Sequence, residues 1–446
     1  MFIRFIVSNF LSFNEEREFN MLAGSFKTHK HHVYDLGKIE VLKAAAIYGA
    51  NGAGKSNMIK AIEFLQETIK AGGLHNSVNE KKFKLNEINK TKPISFEIEF
   101  SIEKKIYSYG VSLNQLTVVE EWLYESGINV DDKLIFERKT GKSGKSSIKI
   151  SEKYQKTQKQ KLLIELMEDN FLKSGELFLG KSEDLKIKEI IAVRDEIENN
   201  ITIIHPGSKF QSLVPALNSS ERFKTFANNI LETFDTGVSQ LGIENIDFEK
   251  YFGEDDEILK KEIIQEVENG HNVVVNTNTG GVLIIKEKGK YIVKKVIAKH
   301  LNSEGKNITF DLTEESDGTQ RLLDFIPAFD GILNTNMCFI IDEIDQSLHP
   351  ALLKGLIQKI MSDKDTTGQL IFTTHESNLL DLDIFRQDEI WFCEKDKKNG
   401  NSQLYSLSDF KPRYDLDIRK GYLKGRFGAI PFLANLEDLN WAKHDS

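Results

Sequence analysis

A glycine-rich loop between an apolar strand and a helix is the feature that most restricts the fold of this 446-residue chain. The run VLKAAAIYG (41–49) predicts a buried strand, and KSNMIKAIEFLQETIKAG (55–72) predicts a helix. Between them lies the G-x-x-x-x-G-K-S pattern of a phosphate-binding loop, in which glycines let backbone amides wrap a phosphate. The pattern consists of Gly49, Ala50, Asn51, Gly52, Ala53, Gly54, Lys55 and Ser56. We expect Lys55 to reach the β- and γ-phosphates of a nucleoside triphosphate and Ser56 to ligate Mg²⁺.

The segment CFIIDEIDQSLHP (338–350) places two acidic residues directly after a short apolar strand. We expect Asp342 to hold Mg²⁺ through water, because ligands bind at the carboxyl ends of strands in open α/β sheets. Glu343, one residue further on, is placed to polarise a water molecule for in-line attack on the γ-phosphate. Next to a phosphate loop, this interpretation is favoured over a solvated turn.

The segment QLIFTTHESNLL (369–380) predicts another apolar strand, which ends at His375. A lone histidine is more often structural than catalytic. The position of His375, at the end of the strand that follows the acidic pair, favours a contact with the γ-phosphate.

The segment TEESDGTQRLLDF (313–325) interrupts the pattern of strands and helices with charges and a glycine. Its residues 316–320 form either a polar turn before a helix or one half of a binding site. A serine hydroxyl and a glycine before a helix N-terminus suit an anion, but the segment alone does not decide between the two.

Composition and charge restrict the class of protein. The formal net charge is −9 and the pI is about 5.7, which argues against a surface that coats nucleic acid. Cys338 and Cys393 lie in apolar runs and are predicted to be small buried residues of a reduced compartment. No apolar run approaches the ~20 residues of a membrane span, and the N-terminus alternates like a strand rather than a signal peptide. We expect a cytoplasmic protein without a membrane contact.

The order of predicted elements indicates an α/β protein in three parts. Residues 1–130 contain the phosphate loop and a lobe of antiparallel strands. Residues 131–268 form a mainly helical insertion with a basic stretch, and residues 269–446 alternate strands with helices. The insertion separates the N-terminal strands from their C-terminal partners.

Two basic segments each allow two interpretations. The stretch ERKTGKSGKSSIKISEKYQKTQKQK (137–161) carries nine Lys and Arg against two Glu. It is either a solvated face, which is favoured, or a contact for a phosphate backbone or a partner. The C-terminal RKGYLKGRFGAIPFL (419–433) is either a packed anchor, which is favoured, or a contact for nucleic acid or a partner.

The phosphate loop, the ESDGTQ segment, the DEIDQSLHP box and His375 occur in the order found in ATP-binding-cassette (ABC) ATPases, which this chain resembles. FIRFIVSNFLSF (2–13) is similar to the N-terminal strand and turn of the soluble branch of SMC, RecF and OLD-type proteins. The ending SLSDFKPRYDLDIRKGYLKGRFGAIPFL (406–433) resembles compact RloA/AbiL-type phage-defence ATPases, which are related to the PARIS system ATPase. The resemblance covers roughly residues 1–125 and 300–435. It implies an ABC-type P-loop ATPase head with an N-terminal antiparallel β lobe and an inserted, mainly helical subdomain.

By this resemblance ESDGTQ is the signature motif, which is usually close to L-S-G-G-Q. Ser316 and Gly318 match its serine and second glycine, while Asp317 stands where the first glycine usually is and Glu315 replaces the leucine. Gln320 lies at the end of the extended loop. An acid beside a bound anion should weaken binding unless Asp317 caps the helix instead.

The resemblance also implies an assembly. In the family the signature of one subunit faces the phosphate loop of another, with ATP between them, and the D-loop crosses that interface. Asp345 begins a box that resembles the D-loop. The chain has one phosphate loop and one signature, so a symmetric homodimer would build two equivalent sites. No glutamine could be assigned to the Q-loop.

The leading hypothesis is an Mg²⁺-dependent ATPase that dimerises around ATP, converts it to ADP and phosphate, and senses or controls an effector in anti-phage defence. The expected partners are a second copy or a higher even-numbered homo-oligomer, a separate Toprim-like nuclease, and DNA or a phage component as the trigger. The alternative is an SMC/RecF-like ATPase acting on DNA, which the acidic charge and the lack of long heptad repeats disfavour. A transporter subunit and a nuclease domain within this chain are disfavoured further.

Overall fold

The structure, a computed structural model, describes residues 1–127, 130–209, 213–253, 257–277, 280–413 and 416–430. Contacts divide the described residues into two units. The phosphate-loop unit comprises Met1–Ile203, Met337–Asp342 and Gln369–Ser446. The signature unit comprises Ile204–Asn336 and Glu343–Gly368. The Pro431–Leu433 end of the predicted C-terminal anchor lies outside the described residues.

The N-terminal lobe of the phosphate-loop unit is an antiparallel sheet of seven strands in the order β10-β9-β8-β7-β6-β1-β2. Its strands are β1 (Phe2–Ser8), β2 (Arg17–Asn20), β6 (Ile94–Ile102), β7 (Lys105–Asn114), β8 (Thr117–Glu125), β9 (Lys133–Thr140) and β10 (Ser146–Ile150). A separate hairpin pairs β3 (Val33–Asp35) with β4 (Glu40–Leu42). Alternating buried residues along β1 and β6 place one face of the lobe in the core.

A second sheet of the same unit has the order β11-β17-β18-β5-β19-β20. Its strands are β5 (Ala44–Tyr48), β11 (Ile201–Ile204), β17 (Cys338–Ile341), β18 (Gln369–Thr374), β19 (Ile390–Lys395) and β20 (Ser402–Ser406). The strands β17, β18, β5 and β19 are parallel, and β20 is antiparallel to β19. Every residue of β5, β17 and β18 is buried, as expected for inner strands of a parallel sheet covered on both faces. Their carboxyl ends lie at one edge.

The helices of the phosphate-loop unit pack against these sheets around one continuous core. They are α1 (Lys55–Lys70), α2 (Gln158–Leu166), α3 (Ser182–Leu185), α4 (Lys188–Asn199) and α11 (Ile418–Leu423). The core joins phenylalanines of the lobe to apolar residues of α1 and α4, among them Phe96, Leu65 and Val193. Both cysteines are buried and unpaired, as the sequence predicts.

The signature unit combines an antiparallel sheet of five strands with six helices among its described residues. The sheet contains β12 (Gln240–Asp247), β13 (Val273–Thr277), β14 (Gly280–Glu287), β15 (Lys290–Leu301) and β16 (Asn307–Asp311). The helices are α5 (Leu213–Ser219), α6 (Glu221–Thr233), α7 (Phe248–Phe252), α8 (Glu257–Glu268), α9 (Asp317–Asn334) and α10 (Pro350–Ser362). The apolar face of α9, including Leu322, Leu323 and Ile326, packs with α5, α6 and the sheet.

The predicted fold class is confirmed in its mixed α/β character and its N-terminal antiparallel lobe. The limits of the two units do not coincide with the predicted boundaries at residues 130 and 268. Strands β9 and β10 extend the N-terminal sheet, and α2 to α4 pack with that unit, so the region predicted as one insertion is divided between both units. None of the described helices is both long and apolar enough to cross a bilayer.

The basic stretch 137–161 contains two strands and a helix rather than one exposed loop or helix face. Arg138 is fully buried 3.6 Å from Glu121, and burial lowers the pKa of this guanidinium although Glu121 acts in the opposite direction. Lysines of the stretch pair with acids on the surface: Lys139 with Glu120 (3.1 Å) and Lys145 with Asp169 (2.8 Å). Much of its positive charge is therefore offset by neighbouring carboxylates.

Candidate nucleotide site

The predicted phosphate loop lies between the end of β5 and the start of α1. Gly54 is the N-cap of this 16-residue helix and adopts a left-handed φ of 118°, which glycine tolerates and other residues do not. A Cβ at this position would collide with Ser402 and Ser12, so the residue must also be small. Glycine here directs the first amides of α1 towards the loop, where an anion benefits from the helix dipole.

Two serines outside the motif, Ser402 and Ser12, stabilise the phosphate loop, and no sequence motif predicted them. Ser402 on β20 donates its hydroxyl to the carbonyl of Ala53 (2.6 Å) and lies 2.8 Å from the hydroxyl of Ser12. Asn57 on α1 donates its side-chain amide to the same Ser12 oxygen (2.8 Å). Because all three side chains are hydrogen-bonded, they fix the loop to the first turn of the chain and to the edge strand.

Lys55 and His375 are brought together as the sequence predicts for two phosphate contacts. Lys55 is 5% exposed, and its Nζ lies 2.9 Å from the carbonyl of Gly49 and 3.1 Å from Nε2 of His375. The pairing of Thr374 with Tyr48 across β18 and β5 explains this proximity, since His375 and Gly49 each follow a paired residue. A cationic amine and an imidazole therefore share the carboxyl edge of the sheet.

Asp342 follows β17 and is 3% exposed. Its Oδ1 accepts a hydrogen bond from the hydroxyl of Thr373 on the adjacent strand β18 (2.5 Å). This bond fixes the orientation of a buried carboxylate at the same sheet edge as the phosphate loop. Ser56 occupies the second position of α1 and is half-buried.

The residues of this edge fit a nucleoside triphosphate with Mg²⁺. The loop supplies backbone amides at a glycine-capped helix N-terminus, Lys55 supplies a positive charge, and Ser56 and Asp342 supply hydroxyl and carboxylate oxygens of the kind that Mg²⁺ prefers. We expect these groups to hold the phosphates and the ion, which would neutralise charge on the phosphate oxygens.

The remaining predicted site residues belong to the signature unit. Glu343 directly follows Asp342 in the chain and has a left-handed φ of 51°, and Ser347 has a φ of 63°. Two non-glycine residues in this conformation within five positions are uncommon, and such strain concentrates at functional segments. The turn is closed by the amide of Gln346 bonding to the carbonyl of Glu343 (3.0 Å). Asp345 is half-buried within this turn.

Ser316 is the N-cap of α9, and Asp317 is its first helical residue. The Ser316 hydroxyl accepts the amide of Thr319 (3.2 Å) and also contacts the Thr319 hydroxyl (2.9 Å). The cap is therefore formed by Ser316 and not by Asp317, which is exposed in the first turn, where an acid complements the helix dipole. Gln320 donates its side-chain amide to the carbonyl of Glu315 (2.9 Å), which tightens the loop.

Gly318 brings the signature segment against the D-loop segment. A Cβ on Gly318 would lie 2.9 Å from the carbonyl oxygen of Ser347, closer than real side chains approach. The side-chain-free residue therefore allows α9 to contact the turn that contains Asp345. This contact is a physical reason for glycine at the position that matches the second glycine of the signature.

Arg321 is another residue that no sequence motif predicted. It is 5% exposed, its guanidinium donates to the carbonyls of His205 (3.2 Å) and Ser208 (3.4 Å), and it stacks on Phe325 (4.3 Å). Burial lowers its pKa, whereas Asp324 and Glu343 act in the opposite direction. A buried cation thus lies beneath the first turns of α9 in the signature unit. The available signal was a lone arginine inside the apolar face of a predicted helix.

The strand β11 was also missed, because the sequence analysis assigned its region to helices. It lies at the edge of the parallel sheet beside β17, and the amide of Cys338 donates to the carbonyl of Asn200 at the start of both strands (2.8 Å). The signal was the β-branched run ITII before His-Pro-Gly.

The predicted site residues thus form two groups. Gly49 to Ser56, Asp342 and His375 share one sheet edge of the phosphate-loop unit. Ser316, Gly318 and Gln320 lie at the start of α9 in the signature unit, beside the turn that contains Glu343 and Asp345.

Comparison with protein families finds one match, over residues 44–381, to the family described as "AAA domain, putative AbiEii toxin, Type IV TA system". The matched span contains the phosphate loop, the signature segment, the acidic box and His375. No curated protein matches the sequence.

Solved structures of SMC head domains are similar to this chain over most of its length. The SMC head domain from Thermotoga maritima has 12% sequence identity and a TM-score of 0.39, with 91% of this chain and 98% of that chain covered. An SMC head bound to the C-winged helix domain of ScpA has 15% identity and a TM-score of 0.40, with 92% and 99% covered. An SMC head with an extended coiled coil, bound to the C-terminal domain of ScpA derived from Pyrococcus furiosus, has 14% identity and a TM-score of 0.38, with 92% and 97% covered.

Proposed function

Since the chain belongs to the family described as "AAA domain, putative AbiEii toxin, Type IV TA system", we propose that it is an ATPase that dimerises around ATP and controls a separate effector in phage defence. The observation that carries the enzymatic part is the sheet edge where Lys55 lies 3.1 Å from His375 and where Thr373 fixes Asp342. A buried amine, an oriented carboxylate and a glycine-capped helix are the groups that phosphoryl transfer requires.

Each residue has a proposed task in hydrolysis. Lys55 and the loop amides stabilise negative charge on the β- and γ-phosphates, while Ser56 and Asp342 hold Mg²⁺. Glu343 accepts a proton from the attacking water, and His375 contacts the γ-phosphate. In this scheme Lys55 exchanges its bonds to the loop carbonyls for phosphate oxygens, so nucleotide binding also rearranges the contact between Lys55 and His375.

Dimerisation is the assembly that the resemblance to ABC ATPases implies for these two groups of residues. We propose that Ser316, Gly318 and the N-terminus of α9 contact the γ-phosphate bound by a second copy, while Asp345 links the two sites. A symmetric dimer would place a signature segment opposite each of the two phosphate loops through one type of interface. Because ATP then binds the dimer more tightly than the monomer, hydrolysis changes the population of the two states.

The effector is proposed to be a separate protein, in keeping with the compact RloA/AbiL-type ATPases that the chain resembles and with the toxin named in the family description. A Toprim-like nuclease is the class of effector that the resemblance implies. The ATPase would hold or release it according to its own nucleotide state, and a phage component or DNA would act as the trigger.

A phage-challenge experiment tests this function. A strain that carries the gene with its genomic neighbour should resist phage, and Lys55→Ala should abolish resistance because the amine that neutralises the phosphates is lost. The readout is plaque formation, with effector capture by the purified ATPase measured with and without ATP. Lys60→Ala, an exposed residue of the same helix, is the matched control and should keep resistance. Resistance that survives Lys55→Ala would contradict the proposal.

The DNA-repair alternative predicts a different result. Lys139 and Lys145 are paired with Glu120 and Asp169, and Lys149 lies 3.6 Å from Glu137, so the local field on a phosphate backbone is weakened. We expect replacement of Lys142, Lys145 and Lys149 by glutamine to change duplex affinity by less than about threefold, because neighbouring carboxylates offset much of the positive charge of this stretch. The measurement is fluorescence anisotropy over a salt series. A steep salt dependence that the triple variant abolishes would favour the alternative instead.

A further inference from the structure

Three histidines of the phosphate-loop unit form a cluster outside the nucleotide site. His29, His31 and His32 lie in the segment THKHHVYD, between β2 and β3. One ligand nitrogen from each histidine lies within 4.8 Å of the corresponding nitrogens of the other two. The rings of His29 and His32 are stacked with centroids 4.8 Å apart, and those of His31 and His32 are 4.4 Å apart.

The rings of His32 and His29 each contact an oxygen of the kind that accompanies metal-bound imidazoles, a carboxylate and a backbone carbonyl. His32 is 1% exposed, and its Nδ1 lies 3.0 Å from Oε2 of Glu389, which is fully buried. His29 donates from Nε2 to the backbone carbonyl of Leu382 (2.8 Å). Metal-ligating histidines almost always bond their second nitrogen to a carboxylate or a backbone carbonyl, which fixes the tautomer and raises the basicity of the ligating nitrogen.

Glu389, the partner of His32, lies in a segment that is itself held by hydrogen bonds and an ion pair. The backbone amide of Arg386 donates to Glu389 (2.7 Å), and the Arg386 guanidinium pairs with Asp388 (2.7 Å). Asp388 accepts the amide of Gly24 (2.7 Å), and Arg386 donates to the carbonyl of the same glycine (2.8 Å). The loop that contains the histidines is therefore held against segment 382–389 by bonds that do not involve the rings.

We propose that His29, His31 and His32 bind one divalent late transition-metal ion, with Zn²⁺ as the representative. Imidazole nitrogen suits zinc, copper and nickel, whereas Mg²⁺ and Ca²⁺ select oxygen ligands. A tetrahedral zinc site with Zn–N bonds of about 2.0–2.1 Å places its nitrogens about 3.4 Å apart, so the three side chains would have to move closer together on binding the ion. Three histidines leave the fourth position for water.

A bound ion would stabilise the packing of the histidine loop against segment 382–389. Segment 382–389 connects His375, after β18, to β19, which lies beside the phosphate-loop strand β5. An ion held by residues 29–32 would tie this connection to the N-terminal loop through the Glu389 and Leu382 bonds. The ion is distinct from the Mg²⁺ expected at the phosphate loop, because the two donor sets are nitrogen and oxygen.

Zinc binding is tested on the full chain without a histidine tag, after dialysis against EDTA. Equilibrium dialysis with metal analysis should find about one Zn²⁺ per chain, and Zn²⁺ should raise the Tm because it binds the folded state. His29→Ala combined with His31→Ala should abolish both effects. His32 is left in place because its buried ring contributes to folding.

The matched control replaces two exposed histidines elsewhere, His75→Ala with His271→Ala, and should bind zinc as the wild type does. Glu389→Gln keeps the shape of the outer partner and should weaken zinc binding about 10- to 100-fold. An excess of Mg²⁺ should not displace the zinc. Failure to bind a stoichiometric ion, equal binding by the His29/His31 variant, or displacement by Mg²⁺ would each overturn the site.

Discussion

Replacing Glu343 by glutamine is expected to lower kcat for ATP hydrolysis by about 10²- to 10⁴-fold, the range in which general-base catalysis contributes. Glutamine keeps the length of the side chain but cannot accept the proton of the attacking water. Binding at the phosphate loop is unaffected because Lys55, Ser56 and Asp342 remain. ATP-bound dimers should therefore accumulate. Phosphate release measures the first effect, and light scattering after gel filtration in ATP and Mg²⁺ measures the second.

Glu262→Gln is the matched control, because it makes the same chemical change at an exposed position of α8 in the same unit. It should leave hydrolysis and assembly unchanged. Hydrolysis by Glu343→Gln within about twofold of the wild type would remove Glu343 from the proposed mechanism, because even a weak general base contributes more.

Replacing Ser316 by arginine is expected to abolish ATP-dependent dimerisation while leaving nucleotide affinity within about threefold, a change below ~1 kcal/mol. Ser316 is exposed at the start of α9, so a long side chain projects where the second copy's γ-phosphate is proposed to bind. The phosphate loop lies in the other unit and keeps its own contacts. Light scattering reports assembly, and a fluorescent ATP analogue reports affinity.

Loss of the helix cap must be separated from loss of the interface. Ser220 caps α6 in the same way, with its hydroxyl accepting the amide of Phe223 (3.1 Å). Ser220→Arg therefore removes an equivalent cap, worth about 0.5–2 kcal/mol, and should still dimerise. If Ser316→Arg pairs normally, or if both variants fail alike, Ser316 is only a cap and the signature proposal fails.

The sequence was sufficient for those parts of the site that depend on local patterns. The strand, the glycine loop and the helix around Lys55 are continuous in the chain, and His375 and Asp342 each end an apolar run. Their spatial grouping follows from one rule, that parallel strands end at the same edge. The sequence did not decide whether Asp317 caps α9. In the structure Ser316 is the cap, and Asp317 is the first helical residue.

Residues whose roles depend on distant partners were not predictable. Ser402 and Ser12 lie 390 positions apart, and neither stands in a motif that marks it as a brace for Ala53. The strands of the basic stretch were hidden because Ser147 and Lys149 occupy the exposed positions of β10, while Ile148 and Ile150 face inwards. Buried Arg138 likewise requires Glu121 on another strand. Periodicity in one segment does not identify the element against which it packs.

The strand order of the parallel sheet has a consequence for synthesis of the protein. Strand β5, which leads into the phosphate loop, lies between β18 and β19, and both emerge more than 300 residues later. At translation rates of about 5–20 residues per second, the loop strand waits about 15–65 s for its neighbours. The N-terminal lobe, whose strands are close in sequence from β6 to β10, can form in that interval. The nascent chain thus completes the parallel-sheet edge that carries the phosphate loop only after β19, at residues 390–395, has been synthesised.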